Sequence, residues 1–223
     1  MNAHARLLST LTSLALFAAP ALAAPTGSCD AAASGKLPFA DGTGTPEDPY
    51  GICSAAQLRR IELAPKASYQ LWGDIDVLQA DGAVEGWRPL FSNGTPFPGR
   101  LDGMGHSINN LRIDRPREEH VALIRACTGC VIIDLELRSV QVVGGSRSGA
   151  LIGDYIVAVE PSRVATFLIS GITVSGTVTG GEGSGGVFGN VYNVFPLLSD
   201  ETFLNSGVRF KGTVNNADPR SIG

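Results

Sequence analysis

Residues 167–178 read FLISGITVSGTV, and residues 203–214, which lie 36 positions later, read FLNSGVRFKGTV. Seven of these twelve positions are identical. The same step of 36 carries residues 148–153 (SGALIG) onto residues 184–189 (SGGVFG). A fixed period of this length indicates a repeat architecture, in which each unit packs on the next one.

Apolar and polar residues alternate within each unit. Val174 stands between Thr173 and Ser175, so a strand here has one apolar face and one polar face. Stacking the next copy about 4.8 Å away gives partners to both the apolar face and the edge groups of such a strand. Glycines at the ends of the runs allow sharp turns. The pattern predicts an all-β parallel β-helix, with polar residues such as Thr173, Ser175, Arg209 and Lys211 on its outer face.

Two other all-β architectures can be compared with this repeat. β-Propellers also repeat, about every 40–50 residues, and are the alternative architecture. A β-sandwich has no reason to repeat its sequence at a fixed period. Upstream, residues 108–111 (INNL) resemble residues 132–135 (IIDL) at a shorter step of 24. This similarity predicts earlier repeats with loops of variable length.

The N-terminus has the layout of a secretory signal peptide that covers residues 1–23. An apolar run at residues 7–19 ends at Pro20, and residues 21–23 (ALA) place small residues at a cleavage site. The run is too short to span a bilayer, which needs roughly 20 apolar residues. An uncleaved anchor is the alternative. We expect an exported protein of the periplasm, cell surface or extracellular space that does not span the membrane.

The rest of the chain divides into two regions. Residues 24–96 are predicted to form an N-terminal cap with the first rungs, and residues 97–223 the β-helix repeats. In the cap, Ser54 is a suitable N-cap for the one helix expected, which Pro65 ends. Residues 220–223 (RSIG) begin another repeat element and then stop. Because a β-helix needs its last rung covered, we expect further sequence or another chain to cover it.

Charge and composition restrict the partners. The formal net charge is −4, and the region after the signal peptide contains no run of basic residues. Nucleic acid is therefore not an expected partner, because phosphate contacts need clustered Lys and Arg. A mildly acidic surface fits cations or neutral glycans better.

Four cysteines in an oxidising compartment predict two disulfides. Three pairings are open, and we favour Cys29 with Cys53 and Cys127 with Cys130, since only two residues separate the second pair. The Cys-x-x-Cys could instead be redox-active or half of a zinc site. The strand-like residues 131–133 and the shortage of other ligands favour a structural disulfide.

An ordered series of short motifs resembles the bacterial GLUG-repeat surface proteins, which include regions of IgA-protease-like surface proteins. The matching stretches are residues 41–52 (DGTGTPEDPYGI), 69–76 (YQLWGDID), 87–90 (WRPL), 97–111 (FPGRLDGMGHSINNL), 149–153 (GALIG) and 185–189 (GGVFG). The resemblance implies a right-handed parallel β-helix that is a module of a cell-surface or secreted protein. The cysteines lie outside the common pattern, and residues 121–124 (VALI) and Ile152 lack the usual Phe-Gly.

Three acidic residues are candidate metal ligands. Asp41, Glu47 and Asp48 lie in a glycine-rich loop, and oxygen ligands on a flexible loop suit Ca²⁺. The alternative is a solvated acidic loop. No other cofactor is expected.

Other polar residues could carry chemistry, although none is assigned as catalytic. Asp74 and Asp76 share one side of a strand and could form the carboxylate pair of a glycosidase, or could simply bond nearby amides. Asp102 begins a glycine-rich turn that ends at His106, a potential general base without a matched nucleophile.

The two tryptophans are candidates for stacking on sugar rings. The positions of Trp72 and Trp87 in the motif series nevertheless favour packing in the core or cap.

These features together predict an exported, non-catalytic β-helix module for adhesion or for binding glycans on a host or neighbouring cell surface. The alternative is a β-helical carbohydrate-active enzyme, either a polysaccharide lyase or a glycoside hydrolase. Such an enzyme should show carboxylates and a Lys or Arg converging in one groove. A plain spacer is a third hypothesis.

Overall fold

The computed structural model describes residues 27–78, 86–157, 168–193 and 204–216. The predicted signal peptide and the incomplete repeat at residues 220–223 lie outside them. The described residues form a parallel β-solenoid of about four turns, as the 36-residue period predicted.

Three sheets form the sides of the solenoid. Sheet A contains, in spatial order, β1 (Tyr50–Ile52), β2 (Ser68–Leu71), β4 (Arg100–Asp102), β8 (Val131–Ile133), β11 (Leu168–Ser170) and β14 (Leu204–Ser206). Sheet B contains β3 (Ile75–Asp76), β5 (Ser107–Asn109), β9 (Glu136–Gly144), β12 (Thr173–Thr179) and β15 (Arg209–Asn215), with β6 (Arg112–Arg115) also paired to β9. Sheet C contains β7 (Ile124–Thr128), β10 (Ile152–Val157) and β13 (Phe188–Asn193). These strands pair in parallel between successive rungs, so the propeller alternative is wrong.

The N-terminal cap contains short helices. Helix α2 (Ala55–Arg59) begins at Ser54, whose side chain accepts a hydrogen bond from the backbone N–H of Gln57, as predicted, and a 3-10 helix (Arg60–Leu63) follows. The sequence did not predict α1 (Ala31–Gly35), which Asp30 caps. A helix of five residues has too few positions for apolar periodicity to show.

The period of 36 is confirmed, and a β-bulge limits where it holds. Val174 pairs with Leu137, which is 37 residues earlier, whereas Gly176 pairs with Val140, 36 residues earlier. The extra residue in β9 accompanies Ser139, whose φ is 56°. The sequence motifs at residues 148–153 and 184–189 follow this bulge, which is why they show the step of 36.

The shorter step of 24 is wrong as a repeat. Residues 108–111 begin in β5 of sheet B, whereas residues 132–135 begin in β8 of sheet A. The two stretches look alike because each places a left-handed residue, Asn110 (φ 59°) or Asp134 (φ 49°), directly before a buried leucine. A shared turn geometry therefore explains the similarity.

The core consists of columns of stacked apolar side chains. In two of these columns every side chain is fully buried. The column in sheet A contains Leu101, Ile132 and Ile169, and the column in sheet B contains Ile108, Leu137 and Val174. Burying one such side chain stabilises the fold by roughly 1.5–3 kcal/mol. In the described part of the chain, no helix is long and apolar enough to cross a membrane.

Both predicted disulfides are present. Cys29–Cys53 joins the segment before α1 to the start of α2. Cys127–Cys130 lies where the chain passes from sheet C to sheet A, and both cysteines are buried. Strand β8 follows Cys130 directly, as the sequence predicted.

Candidate ligand-binding surface

Sheets A and B meet at a corner where the chain turns once in every rung. Asp134, Gly171 and Gly207 occupy equivalent positions there, with φ values of 49°, 65° and 66°. This left-handed backbone is followed by a buried residue, such as Leu135 or Ile172. A Cβ added to Gly171 would lie 2.3 Å from Oδ1 of Asp134. Because glycine has no side chain, the corner is recessed at Gly171 and Gly207, and the Asp134 carboxylate lies against Gly171 at the edge of this recess.

One rung has a longer turn at the same corner. Residues 103–106 connect β4 to β5, whereas only residues 134–135 connect β8 to β9. The backbone N–H of Met104 donates to Oδ1 of Asp102 at 3.0 Å, and that of Gly105 donates to the carbonyl of Asp134 at 2.8 Å. The side chain of Met104 is 43% exposed. The longer turn thus forms a fixed ledge beside the recess.

An open groove of about 490 Å³ lies between the ledge and the recess. Its lining comprises Met104, Gly105, Asp134, Leu135, Glu136, Gly171 and Thr173. The groove combines two carboxylates and one hydroxyl with an exposed thioether. These groups suit a ligand that has several hydroxyls and a small apolar face.

An ion-pair network borders the groove on sheet B. Nη2 of Arg138 lies 2.7 Å from Oε2 of Glu136, and its Nη1 lies 3.9 Å from Oδ2 of Asp74. Nδ1 of His106 lies 3.6 Å from Oδ1 of Asp74. The structure thus brings Asp74 into direct contact with His106 and adds two residues that sequence analysis missed, Arg138 and its partner Glu136. Only the rung register, which pairs Ser107 with Glu136, could have found them.

The electrostatics of Asp74 do not suit a general acid. The backbone hydrogen bond from Ser107, 2.8 Å long, lowers the pKa of the Asp74 carboxyl, and the positive charge of Arg138 acts in the same direction. A carboxyl that protonates a leaving group needs a raised pKa. Asp74 is therefore held as a carboxylate.

The other predicted carboxylates serve local contacts. Asp76 accepts from Nδ2 of Asn110 at 2.7 Å and from the N–H of Leu78 at 2.9 Å. Asp102 accepts a hydrogen bond from Nη2 of Arg100 at 3.1 Å, in addition to the one from the backbone N–H of Met104. Both side chains therefore form local hydrogen bonds that stabilise turns and strands, which is the non-catalytic interpretation.

The acidic loop of the cap contains the three residues that were predicted to bind calcium. Oδ1 of Asp41 lies 3.5 Å from Nζ of Lys36, and a backbone hydrogen bond from Gly42 lowers the pKa of Asp41. Among the described residues, no group of three or more His, Cys, Asp and Glu side chains could hold a metal ion. Calcium binding by Asp41, Glu47 and Asp48 therefore stays a prediction.

The tryptophans pack against neighbouring residues. Trp87 is 2% exposed, and the guanidinium of Arg59 lies 3.7 Å from its ring centroid. The ring of Trp72 fills the space beside Gly51, where a Cβ would lie 2.4 Å from it. Both rings therefore pack against neighbouring residues, as their positions in the motif series predicted.

A second polar cluster lies at the corner between sheets B and C. Nδ1 of His120 lies 3.8 Å from Oδ2 of Asp154, and its Nε2 lies 3.4 Å from Nη1 of Arg147 and 3.8 Å from Oε2 of Glu119. Nδ2 of Asn190 donates to Oδ1 of Asp154 at 2.9 Å. The His120 side chain is 14% exposed, and burial lowers its pKa. Sequence analysis did not find this cluster, because its members come from three rungs.

The outer face of sheet B carries the predicted polar residues. Thr173 pairs with Arg209, and Ser175 pairs with Lys211. Val174 between them is fully buried, so the polar neighbours point outward. Thr173 also lines the groove and pairs with Glu136, so the groove and this face are continuous.

Comparisons with known proteins give distant likenesses. No family model and no solved structure matches the chain. It is similar to Halomucin of Haloquadratum walsbyi, with 35% identity over 152 residues, which are 61% of this chain and 2% of that protein. It is also similar to a protein of Evansella cellulosilytica that bears the name Gly-rich membrane protein, with 35% identity over 88 residues, which are 38% of this chain and 10% of that protein. The chain thus spans a small part of both relatives, and its resemblance to GLUG-repeat proteins stays a prediction.

Proposed function

We propose that this β-solenoid is an exported, non-catalytic module of a surface-type protein and that it binds glycans in the groove between sheets A and B. The observation that carries the proposal is the groove itself, in which Asp134, Glu136 and Thr173 stand beside the exposed side chain of Met104. Carboxylates accept strong hydrogen bonds from hydroxyls, and a thioether can contact the apolar face of a sugar ring.

The likeness to Halomucin and to a protein named as a membrane protein supports a surface location. Repeat solenoids commonly present extended surfaces for binding, which fits the continuous outer face of sheet B. Adhesion through a surface glycan is the role that we infer from these features.

One observation favours the enzyme alternative. Asp74 and Glu136 converge on Arg138 beside the groove, and such convergence is expected of a lyase or hydrolase. The lowered pKa of Asp74 and the ion pair of Glu136 favour binding over catalysis. Assays for new reducing ends and for unsaturated uronates test the enzyme directly, because a binding module produces neither.

A substitution in the groove tests the proposed binding site. Asp134→Asn removes one exposed carboxylate charge, and Asn tolerates the left-handed backbone found there. We expect about tenfold weaker binding to the best ligand of a glycan array, measured by calorimetry, because charge-assisted hydrogen bonds are lost.

The matched control is Glu47→Gln, which removes a similar charge from the exposed loop of the cap. This variant should bind like the unmodified chain. Equal binding by Asp134→Asn, or product formation in the two enzyme assays, would contradict the proposed function.

A further inference from the structure

The last described rung carries two cations on the outer face of sheet B. Arg209 and Lys211 are exposed, while Phe210 between them packs against Gly186, where a Cβ would lie 2.4 Å from its ring. Alternation along β15 therefore fixes both basic side chains on the outer side.

Arg138, which lies on the same face, differs from these two cations. Arg138 is paired with both Glu136 and Asp74. Within the described part of the chain, no acidic side chain forms an ion pair with Arg209 or Lys211. Both cations are exposed on this face, although the whole chain carries a net charge of −4.

The neighbouring strand offers hydroxyls without any charge. Strand β12 reads TVSGTVT, and its outward positions include Thr173, Ser175 and Thr177. The register places Thr173 beside Arg209 and Ser175 beside Lys211, at the spacing of adjacent strands, which is about 4.8 Å. The surface therefore carries hydroxyls on β12 and cations at the paired positions of β15.

We propose that this surface recognises the acidic groups of a glycan, so that the ligand of the module is a uronate-containing or sulfated polysaccharide. The inference rests on the proposed glycan binding and assigns its chemical class. Thr173 connects the two sites, because it lines the groove and lies beside Arg209. The groove accepts the sugar hydroxyls, and Arg209 and Lys211 pair with the acidic groups.

Charge complementarity decides between a glycan and other polyanions. Nucleic acid binding uses many clustered basic contacts to phosphate, whereas this surface has two cations among hydroxyls. A polyhydroxyl chain with spaced carboxylates or sulfates fits both features. The acidic balance of the whole chain favoured neutral glycans, but on sheet B Asp76 lies four strands from β15 and Glu136 lies two strands from it.

The test compares two ligands that differ only in charge. Polygalacturonate oligosaccharides and their methyl-esterified forms are titrated into the full chain by calorimetry. We expect the acidic form to bind about tenfold more tightly. We also expect this preference to fall as salt rises from about 0.05 M to about 0.5 M, because salt screens exposed charges.

The decisive variant is Arg209→Thr combined with Lys211→Ser. These changes give β15 the residues that β12 carries at the paired positions, so the strand pattern is preserved. The variant should lose the preference for the acidic form and keep its affinity for the esterified form. The control, Lys66→Ser with Arg117→Ser, removes two exposed cations from outside sheet B and should keep the preference.

Each other outcome counts against a defined claim. Equal binding of the two forms, or an equal loss in the control variant, overturns this inference and leaves the proposed function standing. Binding of neither form, together with an empty glycan array, overturns both. Equally tight binding to duplex DNA or to vesicles of anionic phospholipid would show a general polyanion site and also overturn the inference.

Discussion

The two corners that border sheet B differ in how tightly their turns pack on the neighbouring rung. At the corner between sheets B and C, backbones from successive rungs touch: a Cβ on Gly153 would lie 2.1 Å from the carbonyl oxygen of His120, and one on Gly189 would lie 2.0 Å from that of Arg147. At the corner between sheets A and B, a Cβ on Gly103 would lie 2.3 Å from the carbonyl oxygen of Asp134, but one on Gly105, at the outer end of the same turn, would meet no atom within 4 Å. The closed corner holds the rungs together, and the open corner leaves room for a ligand.

The largest expected effect comes from placing a side chain in the closed corner. Gly153→Ala should lower the free energy of unfolding by about 3 kcal/mol, because the new methyl group meets backbone atoms that cannot turn away. Gly105→Ala at the open corner should cost only about 1 kcal/mol, since its sole penalty is the left-handed backbone (φ 77°). Urea denaturation of both variants measures the difference. Equal losses would show that the corners do not differ in packing.

This contrast also explains what the sequence could and could not predict. The glycine that ends each motif, Gly153 or Gly189, repeats because a carbonyl of the previous rung occupies the place of its Cβ. Such steric demands recur at a fixed period and are visible in one sequence. The alternation around Val174 is visible for the same reason, since every rung buries the same face.

The candidate site was less predictable because it depends on departures from the repeat. The Met104 ledge is an insertion, and Arg138 meets Asp74 only after three rungs are aligned. Asp74 and His106 were identified as polar candidates, but nothing in their own stretch of sequence indicates Glu136 or Arg138. The shorter step of 24 misled for a related reason: local turn geometry imitated a repeat.

The second largest effect is a difference between the two corners in how the free energy of unfolding depends on pH. Burial lowers the pKa of His120 in the folded protein relative to the unfolded chain, so His120 contributes stability above its unfolded pKa, near 6.5. As pH falls from that value through the folded pKa, this contribution is lost, with a slope of at most about 1.4 kcal/mol per pH unit. The charges that face His120 are Asp154, Glu119, Arg125 and Arg147.

Two histidine variants measure this effect. His120→Gln should remove part of the fall in the free energy of unfolding below about pH 6.5. His106→Gln at the open corner is the matched control, because it replaces an exposed histidine and leaves the closed corner unchanged. Denaturation series at several pH values provide the comparison. An unchanged pH dependence in His120→Gln would show that the closed corner does not bury a titrating group.

The smallest effect belongs to the ion pairs of the open corner. Arg138→Gln removes the partner of both Glu136 and Asp74, yet the free energy of unfolding should change little, because exposed ion pairs are weak. The pKa of Asp74, followed by NMR titration, should rise but stay below its ordinary value, since the backbone bond from Ser107 is the larger cause of its lowering. A pKa of Asp74 above the ordinary value in this variant would mean that Arg138, rather than the backbone, keeps Asp74 ionised, and it would strengthen the enzyme alternative.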